Sequence, residues 1–363
     1  MDRTLGRSID WGTLALALLL AGAGIVTLYG STAGVPGRSG LPQAQAMWLA
    51  IGVAAFLLAA AVDYHIWTDL APLLYGLSVA SLAAVLFVGS RIANTRAWFV
   101  IGSVRFQPSE AGKLAVVLML GWLLSRRKGE KLGLSGLLML GFIVGVPVAL
   151  IALEPDMGTC LTYVPLFAAG VLLGGVRLRT LAILGLAAAL AAPIAWQYGL
   201  KSYQKERILT VLQPQRDPEG VGYQVRQSRI AIGSGELWGK GLRAGTQSRL
   251  QFLPHHHTDF IFSALAEQWG FVGSASVLVI YTALIMWAFQ TGRKARDRLG
   301  LLLAVLIGSL LGFQALINLG MALGALPTIG VPLPLLSYGG SSIVATMGAL
   351  GVLASVRSRR FVN

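Results

Sequence analysis

The sequence predicts an all-α, polytopic integral membrane protein: a single membrane domain, 1–363, of about ten transmembrane helices with one long extracytoplasmic loop, 200–259. Three observations predict it. Hydrophobic residues make up 55% of the chain and charged residues 12%, with a mean hydropathy of +0.70, whereas a soluble domain carries about 25% charged residues. Apolar runs continue from residue 11 to residue 356, so length alone does not divide the chain into soluble domains. Ten of the runs approach the roughly 20 residues needed to cross a hydrocarbon core about 30 Å thick.

The first run, 11–30, has a basic start at Arg3 and Arg7. It is longer than the roughly 7–15 residues of a signal-peptide core and reads as an uncleaved first span. The others are expected at 45–62, 70–89, 109–125, 134–153, 158–174, 180–199, 260–290, 300–323 and 339–356. Small residues within them, such as Ala54-Ala55 and Ala187-Ala188-Ala189, suit close helix packing in lipid. With the N-terminus inside, the cytoplasmic segments hold fifteen Lys and Arg, and the short outer loops four: Arg38, Arg91, Arg96 and Arg105. The positive-inside rule therefore places both termini in the cytoplasm and 200–259 outside.

The net charge of +14 does not point to nucleic acid, because the basic residues form short clusters between apolar runs and no continuous stripe. A single cysteine, Cys160, offers neither an intramolecular disulfide nor a thiolate cluster and reads as a small buried filler. No internal repeat is visible, which removes the strongest sequence pointer to a rocking transporter.

Ionisable residues at membrane depth are costly, and each is a functional hypothesis until a partner is found. Glu110 and Lys113, three apart at the start of the fourth span, share a helix face and can neutralise each other. Glu154 and Asp156 flank Pro155 in a short outer turn, where Asp156 can simply cap the next helix. Glu267 lies two turns beyond Asp259 and needs a basic partner or a proton. Asp259 ends the long loop just where Phe260-Ile261-Phe262 begins a span, wet enough to ionise and shielded enough to be tuned. Capping of the eighth span by Thr258 or Asp259 is the bland alternative. His255-His256-His257 beside it invites a metal reading, but adjacent histidines diverge and no His-x-x-x-His spacing is present.

Within the loop, the spacing of Arg226 and Ile230 suits a short amphipathic helix at the membrane surface. The following run, 233–241, resembles a phosphate loop, but Ser234 occupies a required glycine position and Gly241 the Ser/Thr position. A flexible cationic loop with Lys240, Arg243 and Arg249 remains, suited equally to a phosphorylated head group and to anionic lipid.

Several segments recur in a known order. They are Trp98, Val104-Arg105-Phe106-Gln107-Pro108-Ser109-Glu110 with Lys113, Pro155-Asp156 with Gly158-Thr159, and Gln227-Ser228 with Ile230-Ala231-Ile232-Gly233-Ser234-Gly235. Gly239-Lys240-Gly241, Gly245-Thr246-Gln247-Ser248, Phe252-Leu253-Pro254, His257-Thr258-Asp259-Phe260-Ile261-Phe262 and Leu335-Leu336-Ser337-Tyr338-Gly339-Gly340-Ser341-Ser342 follow. Over nearly its whole length the chain resembles the SEDS family of bacterial cell-wall polymerases. Gly330-Val331-Pro332-Leu333-Pro334 and Asp217-Pro218 with Gly222-Tyr223 resemble its elongation branch, the RodA type, more than the division branch, the FtsW type.

The resemblance implies a peptidoglycan glycosyltransferase of the bacterial inner membrane that polymerises lipid II with a class B penicillin-binding protein as partner. Its catalytic carboxylate falls on Asp259, and Glu110 and Lys113 fall in its central cavity. Trp98, Arg105, Lys240, Arg243 and Ser342 complete the expected substrate-binding set. Glu154 stands where the family usually has Gln, His255 where the RodA type often has Glu, and Ala97 where a basic residue often precedes Trp98. No role is carried over to Glu154 or His255. The implied reaction is inverting, with Asp259 as general base and the leaving diphosphate met by Lys113, Arg105 and loop arginines, or by a divalent cation, Mg²⁺ or Mn²⁺. A lipid flippase and a non-catalytic scaffold for the penicillin-binding protein are the rival readings.

Overall fold

The structure is a computed structural model that describes residues 10–32, 35, 37–92, 95–102, 104–127, 131–176, 178–199, 205–207, 209–210, 220–249, 252–253 and 256–361. The chain is a helical membrane protein. Its elements begin with α1 (Trp11–Thr32), α2 (Leu41–Ala61), the short α3 (Tyr64–Asp69) and α4 (Ala71–Val88). Three strands follow: β1 (Ser90–Ile92), β2 (Thr95–Ile101) and β3 (Val104–Phe106). Then come α5 (Pro108–Ser125), α6 (Leu134–Leu153), α7 (Met157–Thr162), α8 (Val164–Leu173) and α9 (Leu178–Ile194). The loop carries α10 (Val221–Ser234) and α11 (Thr246–Arg249), and α12 (Ile261–Arg293), α13 (Arg298–Ala322) and α14 (Gly340–Ser358) complete the bundle.

Among the described residues seven helices, α1, α2, α4, α6, α12, α13 and α14, are long and apolar enough to cross a membrane. The other three expected spans correspond to α5, which buries the Glu110–Lys113 pair, to α7 with α8, and to α9. Pro165 explains the interruption between α7 and α8: lacking an N–H, it suits the first turn of a new helix. The core runs between α2 and α14, between α12 and both α1 and α13, and between α5 and α4.

One segment departs from the all-α expectation. Strands β1, β2 and β3 form a three-stranded antiparallel sheet in that order, with Ser90 opposite Trp98 and Val100 opposite Arg105. The β-branched and aromatic residues of Thr95–Ile101 favour the pleated conformation.

Helix α12 is broken at Gly270, whose backbone is left-handed at φ 66°. The 23 residues after the break, 271–293, extend about 34 Å and by themselves cross a bilayer. The break releases backbone groups, and the glycine-rich loop takes them up. The N–H groups of Lys240 and Gly241 donate to the Glu267 and Gln268 carbonyls, both at 3.0 Å, while Phe271 and Val272 donate to Glu236 and Leu237 at 2.7 and 3.1 Å. Gly239, at φ 81°, permits this approach, because a Cβ there would overlap the Gln268 carbonyl. The helix expected around Arg226 and Ile230 is present as α10, which leaves both of those residues exposed and is anchored by buried Ser228 on Ser263 and the Ala322 carbonyl, each at 2.6 Å.

At the opposite end of the bundle, Asp10 joins the start of α1 to α12 and α14: it accepts from Trp287 Nε1 at 3.0 Å and lies 3.5 Å from Arg357 Nε. His65 bridges Asp63 and Asp297, each at 2.8 Å, and Arg359 lies 3.2 Å from Asp63.

Candidate functional site

Asp259 lies one residue before Phe260, the N-cap position of α12, and that cap carries no side-chain hydrogen bond. Three successive carbonyls fix its backbone. His257 O accepts from the Tyr338 N–H at 2.9 Å, Thr258 O from Ser337 Oγ at 2.6 Å, and Asp259 O from Asn318 Nδ2 at 2.9 Å. Asn318, fully buried in α13, also donates to the Val331 carbonyl at 2.8 Å. Ser337 in turn accepts from the Leu333 N–H at 2.8 Å, and Gln45 of α2 braces the same segment through Ser337 O and the Gly339 N–H. The segment 331–339 is thus a mould for 257–259.

Gly330 faces the carboxylate. Its backbone is left-handed at φ 75°, and a Cβ built on it would sit 3.8 Å from Asp259 Oδ2. Behind Gly330 lies Gly158 in α7, where any side chain would strike the Ile329 carbonyl. Asp156 caps α7 by accepting from the Thr159 N–H at 3.0 Å and its hydroxyl at 2.7 Å, so the capping role is realised. Its second oxygen also accepts from Gln107 Nε2 at 3.1 Å. The Gln107 N–H donates to Ser341 Oγ at 3.0 Å, and that hydroxyl donates to the Arg105 carbonyl at 3.3 Å. The starts of α5, α7 and α14 and the Asp259 segment are therefore joined at one end of the bundle.

The expected residues fall into three groups. Glu110 and Lys113 are both buried and bind each other at 2.7 Å, so the mutual neutralisation expected from their spacing is formed, and Tyr163 ties the preceding Ser109 carbonyl to α8 at 3.1 Å. Arg105 at the centre of β3 is exposed, Trp98 in β2 is half-buried, and Ser342 in the first turn of α14 is half-buried beside Gly339. Lys240 and Arg243 are held within the loop architecture. Lys240 Nζ lies 3.1 Å from Oε1 of fully buried Glu267, which also accepts from Thr246 Oγ1 at 3.2 Å and the Gln247 N–H at 2.9 Å. Glu267 thereby has the basic partner its burial demands. Arg243 stacks on the Tyr29 ring of α1, its guanidinium carbon 4.5 Å from the centroid.

Buried His256 engages the Leu253 carbonyl through Nδ1 at 2.9 Å, and its ring meets that of His257 edge-on, 5.5 Å apart. Among the described residues no three His, Cys, Asp or Glu side chains converge as a set that could hold a metal ion, and His255 and the side chain of Arg249 lie outside them. Glu154 is completely buried, and its carboxyl is pushed up to about 8, first by burial and then by the neighbouring Asp156 charge.

Asn318, Ser337 and Gln45 were missed by the sequence reading. Asn318 and Gln45 were legible as isolated amides within apolar runs, the kind of residue that must find a partner in lipid. Ser337 carried no comparable signal.

The sequence model of the FtsW, RodA and SpoVE family, described as "Cell cycle protein", matches residues 13–361. Peptidoglycan glycosyltransferase MrdB of Escherichia coli K12 is 36% identical over 313 residues, covering 86% of this chain and 84% of that protein. A probable peptidoglycan glycosyltransferase FtsW of Geobacter sp. M18 is 33% identical over 363 residues, covering 96% and 97%. Among solved structures, a chain from a study of polymerization and crosslinking by a peptidoglycan synthase complex superposes with a TM-score of 0.83 at 34% identity, covering 98% of this chain and 99% of that one. The crystal structure of the rod shape determining protein RodA of Thermus thermophilus gives 0.73 at 31% identity with the same coverage. With the family model and these relatives covering nearly the whole chain, the chain belongs to the FtsW, RodA and SpoVE family of SEDS proteins and is of the RodA type.

Proposed function

We propose that Asp259 is the general base with which this chain, a peptidoglycan glycosyltransferase of cell elongation, polymerises lipid II. The observation that supports this reading most is the mould around residues 257–259: three consecutive backbone carbonyls are bonded, which fixes the main chain that carries Asp259 beside Gly330. A base whose main chain is held in this way is fixed in position for the reacting hydroxyl.

In the proposed reaction Asp259 takes the proton from the acceptor sugar 4-hydroxyl while that oxygen attacks the anomeric carbon of the donor. The bond from that carbon to the lipid diphosphate breaks with inversion, and the diphosphate leaves with the electron pair. Arg105, exposed and two residues before the Gln107–Asp156 junction, is the cation assigned to it, with half-buried Trp98 and Ser342 in the same substrate-binding set. Lys113 acts with Glu110 as a neutral polar pair, and Lys240 and Arg243 shape the loop through Glu267 and Tyr29. A divalent cation, Mg²⁺ or Mn²⁺, would supply further charge on the diphosphate.

The chain lies in the inner membrane with both termini cytoplasmic and 200–259 outside. The excess of basic residues in the segments counted as inner and the approach of Asp10 to Arg357 support this, the latter bringing the first and last helices to one end. A class B penicillin-binding protein cross-links the product.

The test is a gel assay of lipid II polymerisation by purified parent and Asp259→Asn proteins, with and without Mg²⁺. A loss of about 10²–10⁴-fold is expected for a missing general base. Polymerisation by Asp259→Asn at the parental rate overturns the assignment, and lipid II crossing a bilayer without glycan product favours a flippase.

A further inference from the structure

Glu154 is a buried acid that this reaction leaves unused. It closes α6 and opens the turn into α7, its exposure is 0%, and its N–H donates to the Ile151 carbonyl at 3.0 Å. Neither carboxyl oxygen has a hydrogen-bond partner among the described residues. Two residues on, Asp156 accepts from Thr159 and Gln107, as an ionised carboxylate does. The titratable groups facing Glu154 from the following helices are Cys160 and Tyr163, and Glu110 of α5 acts on the same tyrosine with its own charge met by Lys113. None of these supplies Glu154 with a cation. A carboxylate in such a place is far costlier than the neutral acid.

We propose that Glu154 is a proton-dependent positioning residue, neutral in the working enzyme, whose ionisation disrupts the turn into α7, the helix packed against Ile329 and Gly330 beside Asp259. Ionisation puts a second negative charge two residues from Asp156 in a buried turn, and separation of the pair is the available relief. Asp156 cannot move without loosening Gln107 and the cap of α7. Helix α7 carries Gly158 against Ile329, next to the Gly330 that faces Asp259. Displacement of the turn is thereby transmitted to the reacting carboxylate. The shift of the Glu154 carboxyl to about 8 sets the pH at which this occurs. The inference rests on the reading of Asp259 as base.

The experiment measures lipid II polymerisation from pH 6 to 9.5 by the purified parent, Glu154→Gln and Asp259→Asn, together with the Tm of the first two. Above about pH 8 the parental rate should fall roughly tenfold per pH unit, while Glu154→Gln keeps its neutral-pH rate to pH 9. The same alkaline limb in both, or a folded Glu154→Gln that has lost activity at pH 7, overturns the proposal. Should Asp259→Asn equal the parent, the functional reading fails, and Tm still decides the protonation of Glu154. A carboxyl whose folded value exceeds the unfolded one loses stability as pH rises between the two and no further above the folded value. The Tm advantage of Glu154→Gln should therefore grow from pH 5 to about 8 and then level. An advantage that does not change with pH overturns the proposal. Glu154→Met, also neutral and of similar length, replaces Gln if that variant does not fold.

Discussion

Removing either member of the Lys240–Glu267 pair should release the glycine-rich loop from the break in α12, and removing both charges should largely restore it. Unit charges 3.1 Å apart attract by about 5 kcal/mol at an effective dielectric near 20. The lysine side chain is 26% exposed, so solvent screening reduces this, and about 2–3 kcal/mol is a realistic net coupling. Glu267→Ala also strips acceptors from Thr246 and the Gln247 N–H, whereas Lys240→Met leaves a fully buried carboxylate with those two donors. In Lys240→Met/Glu267→Gln the amide oxygen can still accept from both donors, and both charges of the pair are gone.

The assay is hydrogen exchange at the Lys240 and Gly241 amides, which report directly on the bonds to the Glu267 and Gln268 carbonyls. Local opening that gains 2–3 kcal/mol corresponds to roughly 30- to 150-fold faster exchange in each single variant, with most of the protection recovered in the double variant. Strictly additive effects refute the coupling. A Lys240→Met protein with unchanged protection but a raised KM for lipid II refutes the anchoring role, because the lysine would then be serving the diphosphate itself.

Two further outcomes follow from the same geometry. Asn318→Leu retains bulk but leaves the carbonyls of Asp259 and Val331 without their amide donor; kcat should fall about 10–100-fold with KM little changed, measured by initial rates of polymerisation. Burial works against the charged form of His65, but hydrogen bonds to Asp63 and Asp297 outweigh it and raise its proton affinity above the usual histidine value. Its stabilisation is thus full below about pH 6.5 and lost as pH rises through the raised folded value. With the side chain half exposed the effect stays under about 1 kcal/mol, so the Tm advantage of the parent over His65→Gln should shrink by a few degrees or less between pH 6 and 8.5.

The helical framework was legible because length and apolarity are local properties, and membrane helices satisfy their own backbones. The strands at 90–106 were not, since a reading tuned to long apolar runs passes over a seven-residue strand such as Thr95–Ile101, even though its β-branched and aromatic content was visible. The break at Gly270 was hidden for a related reason: a glycine inside an apolar run signals close packing as readily as a left-handed turn. Lys240 stood out as a cation beside glycines, but whether it faces a ligand or Glu267 depends on a contact 27 residues away in sequence. Asp259 and the Glu110–Lys113 pair were found because an acid at a span boundary and opposite charges three apart are unusual in themselves.

The residues that hold Asp259 illustrate why a base can be prominent in the sequence while its support is not. Asn318 and Ser337 act on main-chain carbonyls of 258 and 259, so nothing in the identity of their targets advertises the pairing. Each comes from a segment remote in sequence and each is buried, in an environment where a lost hydrogen bond is not replaced by water. Because the bonds converge on three consecutive carbonyls, the Asp259 carboxylate can stay partly accessible while its Cα is fixed. A main-chain mould supplies the positional constraint beside Gly330, where an acceptor hydroxyl would have to arrive.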